Sequence, residues 1–363
     1  MASRTQTRAA LPVDAVLNLQ SRAWLLLIFA GVLLVVFVVA LSVGSVSIPL
    51  SQVIAVLAGG EPDRATWATI IFRHRLPRAI TATLAGAGLG ISGLLMQTFF
   101  RNPLAGPFVL GISSGASLGV ALVVLGGGSV GAAMIAGVGF SRDLLLAAAA
   151  GLGAAGTMVI IMIAAHYVDS RMTLLILGLM IGYLTGAAVS LLLHFSLAER
   201  IQAYVNWTFG SFNSVTWRQL RILAPAIIAG SGIAFLLAKP LNALLLGEQY
   251  AVSLGVNLTR SRRWIITATA LLAGAVTAFC GPVGFIGVAV PHLCRSILNT
   301  SDHRVLLPGV AIVGATMALT AAIIAEAPGS NIVLPLNAIT AVLGAPVVIR
   351  VILARGNAGK VFG

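Results

Sequence analysis

The chain has 363 residues, of which 59% are hydrophobic and only 9% charged, with a mean hydropathy of +1.04. Even a large soluble domain must clothe itself in charge, so this balance excludes a water-soluble globule and specifies an all-α, polytopic membrane protein. The net charge of +13 does not indicate nucleic acid, because the 22 basic residues sit in short gaps between apolar runs instead of on one face with interleaved aromatics.

Residues 1–22 read as a cytoplasmic tail. The first apolar run, Ala23 to Val43, has 21 residues. That exceeds the core of a cleavable signal and can cross roughly 30 Å of hydrocarbon at about 1.5 Å per residue, so it is expected to remain as a membrane helix. Nine more spans are expected at 79–100, 107–125, 144–165, 173–195, 219–238, 264–281, 283–298, 305–325 and 334–353, in one transmembrane domain over 23–353, with a cytoplasmic tail at 354–363. The eighth span, GPVGFIGVAVPHLCR, carries two prolines and three glycines, which suits a broken or re-entrant helix as well as a straight one. Such backbone survives at membrane depth only when buried in protein or lining a cavity.

With the N-terminus inside, eight basic residues fall outside (Arg64, Arg73, Arg75, Arg78, Arg142, Arg200, Arg218, Arg221) and 14 inside. The positive-inside rule therefore places both termini in the cytoplasm of a cell (inner) membrane protein. Half of the outer set lies between Arg64 and Arg78, which marks that loop for a task of its own. A basic residue leads Thr-Ala-Thr into a small-residue helix twice, Arg78 before AITATLAGAG and Arg263 before WIITATALLAGAV. The first copy would run inward and the second outward, as in an inverted transporter repeat.

Several motifs mimic other chemistry. GLGISG (88–93) satisfies a dinucleotide-binding pattern, yet it lies inside a span and no acid follows Asp63 until Asp143, so a close helix-packing face is expected. GISSG (111–115) imitates a nucleophile elbow around Ser113, but it opens an apolar helix instead of turning from a strand. GLMIGYLTG sets Gly178, Gly182 and Gly186 at four-residue spacing on one helix face; packing alone and a gated seam or pathway lining between subunits are both open readings. Cys280 and Cys294 lack metal-type spacing and read as packing thiols, and His292 beside Pro291 reads as a helix-break residue. No Walker A sequence occurs, since the only lysines are Lys239 and Lys360. Buried acids are nearly absent; Glu326 is the one near a span interior. An ion-driven carrier usually keeps such groups, so the chain reads as a conduit powered from elsewhere.

GEQYAVSLG (247–255), followed by TRSRR, lies in a cytoplasmic loop, 239–263. On a helix Glu248 and Ala251 fall one turn apart, Gly255 lies a turn further, and Ala251 would leave a surface that a partner's side chains could fill. A short helix fixed to two spans can pass a partner's movement on as a rigid body.

This stretch resembles the Glu-Ala…Gly coupling signature of ABC importer permeases. The wider chain resembles the type II (FecCD-like) importer permeases for iron-siderophores, haem and cobalamin, through RHRLPRAITATLAGAGLGISGLLMQTFFRNPLAGPFVLGISSGAS (73–117), GSFNSVTWRQL (210–220), GEQYAVSLGVN (247–257), GPVGFIGVAVPHLCR (281–295), DHRVLLPG (302–309) and AVLGAP (341–346). The resemblance implies a ten-helix subunit working as a pair, most simply a homodimer, with two cytoplasmic ATPase subunits and an extracytoplasmic binding protein. ATP and magnesium would be bound by the ATPases, and no cofactor by this chain, which would not be an enzyme. Gly247, Glu248, Ala251 and Gly255 would form the coupling helix, and Arg75 and Arg78 would receive carboxylates of the binding protein. Family members often carry an Asp and an Arg near the outer end of the ninth span, where this chain has Ala322 and Glu326. Glu326 would repel a docking carboxylate, so either the contact set differs or Glu326 pairs with a basic residue of its own. The expected function is import of an iron chelate, a siderophore first and haem or cobalamin as alternatives, with an ion-gradient-driven carrier as the rival.

Overall fold

The computed structural model describes residues 19–126, 142–168, 170–326 and 332–359. Most of the expected N-terminal tail, with Arg4 and Arg8, and the end of the C-terminal one, with Lys360, lie outside the described residues. Helix α1 (Leu19–Ser42) is apolar all round and only 11% of its most apolar window is covered by protein, as befits a helix facing lipid. Two short helices follow, α2 (Leu50–Leu57) and α3 (Ala65–Ile70). A π-helical turn, Ile71–Arg75, then carries α3 without a break into α4 (Leu76–Phe100).

Helix α4 is the axis of the molecule. Its glycines and alanines let other backbones come close: a Cβ on Gly86 would collide with the carbonyl of Gly314, and one on Gly93 with that of Gly287. Gly90 lies equally tight beneath the carbonyl of Val310. The GLGISG run is therefore the packing face the sequence suggested.

A 3-10 turn, Pro107–Leu110, leads into α5 (Ile112–Val124), which packs on α6 (Arg142–Tyr167) and α7 (Arg171–His194). Gly115 of the GISSG run presses against Gly153 and Thr157 of α6, a packing contact. Next come α8 (Ala198–Thr208), α9 (Trp217–Leu236), α10 (Ala238–Leu246), α11 (Glu248–Ser253) and α12 (Leu258–Cys280). The chain closes with α13 (Ile286–Leu298), α14 (His303–Ala325) and α15 (Leu336–Gly359). Helices α4 and α12, which carry the two copies of the repeat, run in opposite directions: Phe99 at the end of α4 and Arg262 near the start of α12 both meet the Arg171–Glu248 pair.

Among the described residues seven helices are long and apolar enough to cross a membrane, and three shorter apolar ones, within α5, α13 and α15, occupy the third, eighth and tenth expected spans. The all-α fold and the order of spans are thus as expected; α2, α3, α8 and α10 were not foreseen. The eighth span starts late and then runs as one continuous helix, Ile286–Leu298, through Pro291. Residues 281–285 are non-helical, with Gly281 at φ 73° and Phe285 at φ 64°. Neighbouring backbone and side chains satisfy the freed groups: Ser211 N donates to Cys280 O (2.8 Å), Gly284 N to Asn337 Oδ1 (3.0 Å) and Gln97 Nε2 to Val288 O (3.1 Å). His292, expected at a helix break, lies instead within the unbroken α13, where its Nε2 is 2.6 Å from Pro103 O and ties this helix to the loop after α4. Cys280 and Cys294 are buried and unbridged.

Candidate functional site

The residues expected to act lie at two ends of the bundle. At the first, α11 hangs between two glycines. Gly247 has φ 128° and turns the chain sharply out of α10, while Gly255 at φ 80° ends the helix, its N–H bonded to Val252 O and that of Val256 to Ala251 O (both 2.9 Å). Glu248 Oε1 accepts from Arg171 Nε (2.9 Å) and Nη2 (2.5 Å) and from Arg262 Nη2 (2.9 Å). Arg171 also donates to Phe99 O (2.7 Å), and Arg101 Nη2 to Leu244 O (2.9 Å). The short helix is thereby clamped to α4, α7, α10 and α12 at once. Partial desolvation works to raise the Glu248 pKa, but the hydrogen bonds from Arg262 and Arg171 outweigh it and hold the carboxyl below its ordinary value.

Behind α11, Asn242 of α10 donates to Asp302 Oδ1 (2.6 Å) and accepts from His303 N (2.8 Å), whose ring meets Thr98 Oγ1 of α4 (2.8 Å). Burial works to raise Asp302, and the bonds from Arg304 N and Asn242 pull it below the usual range.

The expectation for Ala251 is corrected. Its side chain is fully buried, facing its own chain. The open face of this corner is made instead by Leu246, Tyr250, Val252 and Leu254, each more than half exposed. Glu248 likewise points inward to the arginines. Arg171 was missed because it lies 77 residues from Glu248; its only signal in the sequence was a basic residue opening the fifth span on the inner side.

At the opposite end lie Arg75 and Arg78, expected to receive carboxylates of a binding protein; both are buried, at 5% and 4% exposed. Arg75 Nη1 donates to Leu41 O and Ser42 O (both 2.8 Å), and its Nη2 to Val46 O. Arg78 Nη2 donates to Ala40 O (3.0 Å), while its Nη1 forms an ion pair with Glu326. The carbonyls that α1 leaves unpaired at its C-terminus draw the guanidiniums inward. Gly44 leaves room for the group, since a Cβ there would lie 3.0 Å from both Arg75 and Glu326. Of the two alternatives for Glu326, the structure shows pairing with a basic residue of its own. A hollow of about 290 Å³, bordered by His74, Asn213 and Glu326, opens onto the cluster. Arg64, Arg73 and His74 remain exposed nearby.

The three glycines of α7 do not share one environment. A Cβ on Gly178 would strike Val109 O and the backbone of Leu110, Gly182 faces Ser114, and Gly186 meets nothing. Four-residue steps advance about 40° around a helix with 3.6 residues per turn, so the first glycine points into the chain and the third away from it. Gly178 is thus an internal packing position. The outward face of α7 carries Leu179, Tyr183, Leu184 and Leu191.

Residues 32–355 match the model of the FecCD transport family. The chain is 35% identical over 327 residues to the hemin transport system permease protein HmuU of Yersinia pestis, covering 88% of this chain and 94% of that one. It is 35% identical over 340 residues to the vitamin B12 import system permease protein BtuC of Klebsiella pneumoniae, covering 93% and 96%. Among solved structures, an inward-facing metal-chelate type ABC transporter aligns with a TM-score of 0.78 and 30% identity over 92% of this chain and 99% of that one.

Proposed function

The chain belongs to the FecCD transport family, and from that premise we propose that it is the membrane permease subunit of an ABC importer that carries an iron chelate. A siderophore is the first expectation for the cargo. Haem and cobalamin, the ligands in the names of two relatives, are the alternatives. The observation that carries the reading is the lever at α11: a six-residue helix clamped inward through Glu248 while Leu246, Tyr250, Val252 and Leu254 lie uncovered. A cytoplasmic ATPase subunit covering that face would push on α4, α7 and α12 together. Two ATPase subunits, an extracytoplasmic binding protein and a second permease copy complete the proposed assembly, with α11 and both termini in the cytoplasm.

At the other end the binding protein would dock first on the exposed Arg64, Arg73 and His74. Arg75 and Arg78 lie behind them, and Arg78 would accept a docking carboxylate only by releasing Glu326.

Reconstitution in liposomes tests the proposal. With ATPase, binding protein and ATP, an iron chelate should accumulate uphill. The permease alone under a proton or sodium gradient should accumulate none, and uptake in that arm would sink the reading in favour of a secondary carrier.

A further inference from the structure

A groove of about 1040 Å³ runs along the bundle between α6, α9 and α12. Its walls are apolar and mostly small, among them Ala147, Gly151 and Ala155 of α6, Ile222 of α9, and Ala270 and Gly274 of α12. From Arg263 to Phe279 the wall of α12 rises about 24 Å, most of the roughly 30 Å of hydrocarbon in a bilayer. The groove ends, on the α11 side, at His166 and Arg263, where Arg263 Nη2 lies 3.2 Å from His166 Nδ1.

Beside that end is a second hollow of about 490 Å³, which shares Arg263 and Thr267 with the groove and adds Asn257, Thr259, Arg260 and Trp264. Among the described residues, no carboxylate lines either space. Trp264 is 44% exposed, and an indole at that level suits the boundary between hydrocarbon and headgroups.

We propose that these two spaces together hold one anionic phospholipid, with an acyl chain along the apolar groove and the headgroup phosphate against Arg260 and Arg263. An apolar slot leading into a cationic hollow matches the two halves of such a molecule. Basic pockets between membrane helices recognise anionic headgroups through charge and hydrogen bonding. A free phosphate would leave the slot unused, and a second copy of this chain would bring the same cationic rim to a site whose described lining holds no carboxylate. The inference is independent of the cargo and of the coupling role.

The test places the chain in nanodiscs of equal parts phosphatidylcholine and phosphatidylglycerol, then counts the lipids it retains by native mass spectrometry after release into detergent. Phosphatidylglycerol should be retained preferentially. Arg260→Gln and Arg263→Gln should each cut the preference about fivefold. Ala155→Leu, which narrows the slot at an exposed position, should lower retention with both arginines intact. Phosphatidylglycerol with a photoactivatable acyl chain should crosslink within residues 264–279. Equal retention of the two lipids, a preference that survives both arginine substitutions, or crosslinks elsewhere would overturn the proposal. So would displacement by inorganic phosphate, which would mark a headgroup-only site, or a disulfide between copies through Ala155→Cys, which would put protein in the slot.

Discussion

Glu248 is held by two arginines that are each 14% exposed, whereas its own side chain is 36% exposed. Replacing it by glutamine should cost about 1 kcal/mol, below the usual range for hydrogen bonds to charged groups because solvent screens the pair. The folded carboxyl titrates below its ordinary 4.5, so the clamp's contribution is fully present above 4.5 and is withdrawn as pH falls through the lower folded value. Thermal midpoints in detergent should therefore differ between native chain and Glu248→Gln at neutral pH, and converge in acid. Glu326 is a separate case, since Arg78 behind it is almost fully buried. Glu326→Gln leaves a buried guanidinium without its counter-charge and should destabilise by about 2 kcal/mol, yet if docking works by exchange it should also raise affinity for the binding protein. Titrating native chain and variant with that protein checks it; unchanged affinity would remove Arg78 from the docking set. Charge reversal at Arg75 or Arg78 is a poorer probe, because it would break the bonds to the end of α1 as well.

Helix α11 has too few residues to be stable alone, and its place is set by glycine corners and by the arginine clamp. The outward residues are the ones a partner would touch. Tyr250→Asp with Val252→Asp should leave membrane insertion intact while lowering ATP-driven uptake at least tenfold, a loss of roughly 1.4 kcal/mol in partner binding. Recovery of uptake when the ATPase subunit is added in excess separates this from misfolding, which no excess would rescue. The central crossings behave differently: α4 and α13 meet backbone to backbone at Gly93 and Gly287. Gly93→Ala forces a methyl into a carbonyl and should cost about 1–3 kcal/mol, seen as a lower melting midpoint in detergent. The GLGISG and Gly-Pro patterns made these features legible in advance. Amphipathic α8 and the short α2, α3 and α10 were not, because helices so short show no membrane-length apolar run and take their order from the packing around them.

For the whole molecule, the proposed orientation puts α11 in the cytoplasm and α3 outside. Cysteines introduced at Ser253 and Thr66, both exposed, should react with an impermeant maleimide from opposite sides of the membrane; labelling from the same side would overturn the topology. What residue order alone determined was the class, the order of the spans, the non-helical entry to the eighth, the inverted direction of the repeat and the stretch 247–255, since each is written in local hydropathy, glycine and proline spacing or a contiguous motif. What only the tertiary structure decided was the direction in which the key side chains face. Ala251, Arg75 and Arg78 turn inward, Gly178 packs on its own chain, and Arg171 and Glu326 find partners 77 and 248 residues away. Burial and pairing of that kind depend on which distant backbone carbonyls and charges the fold brings alongside, and no local pattern encodes it.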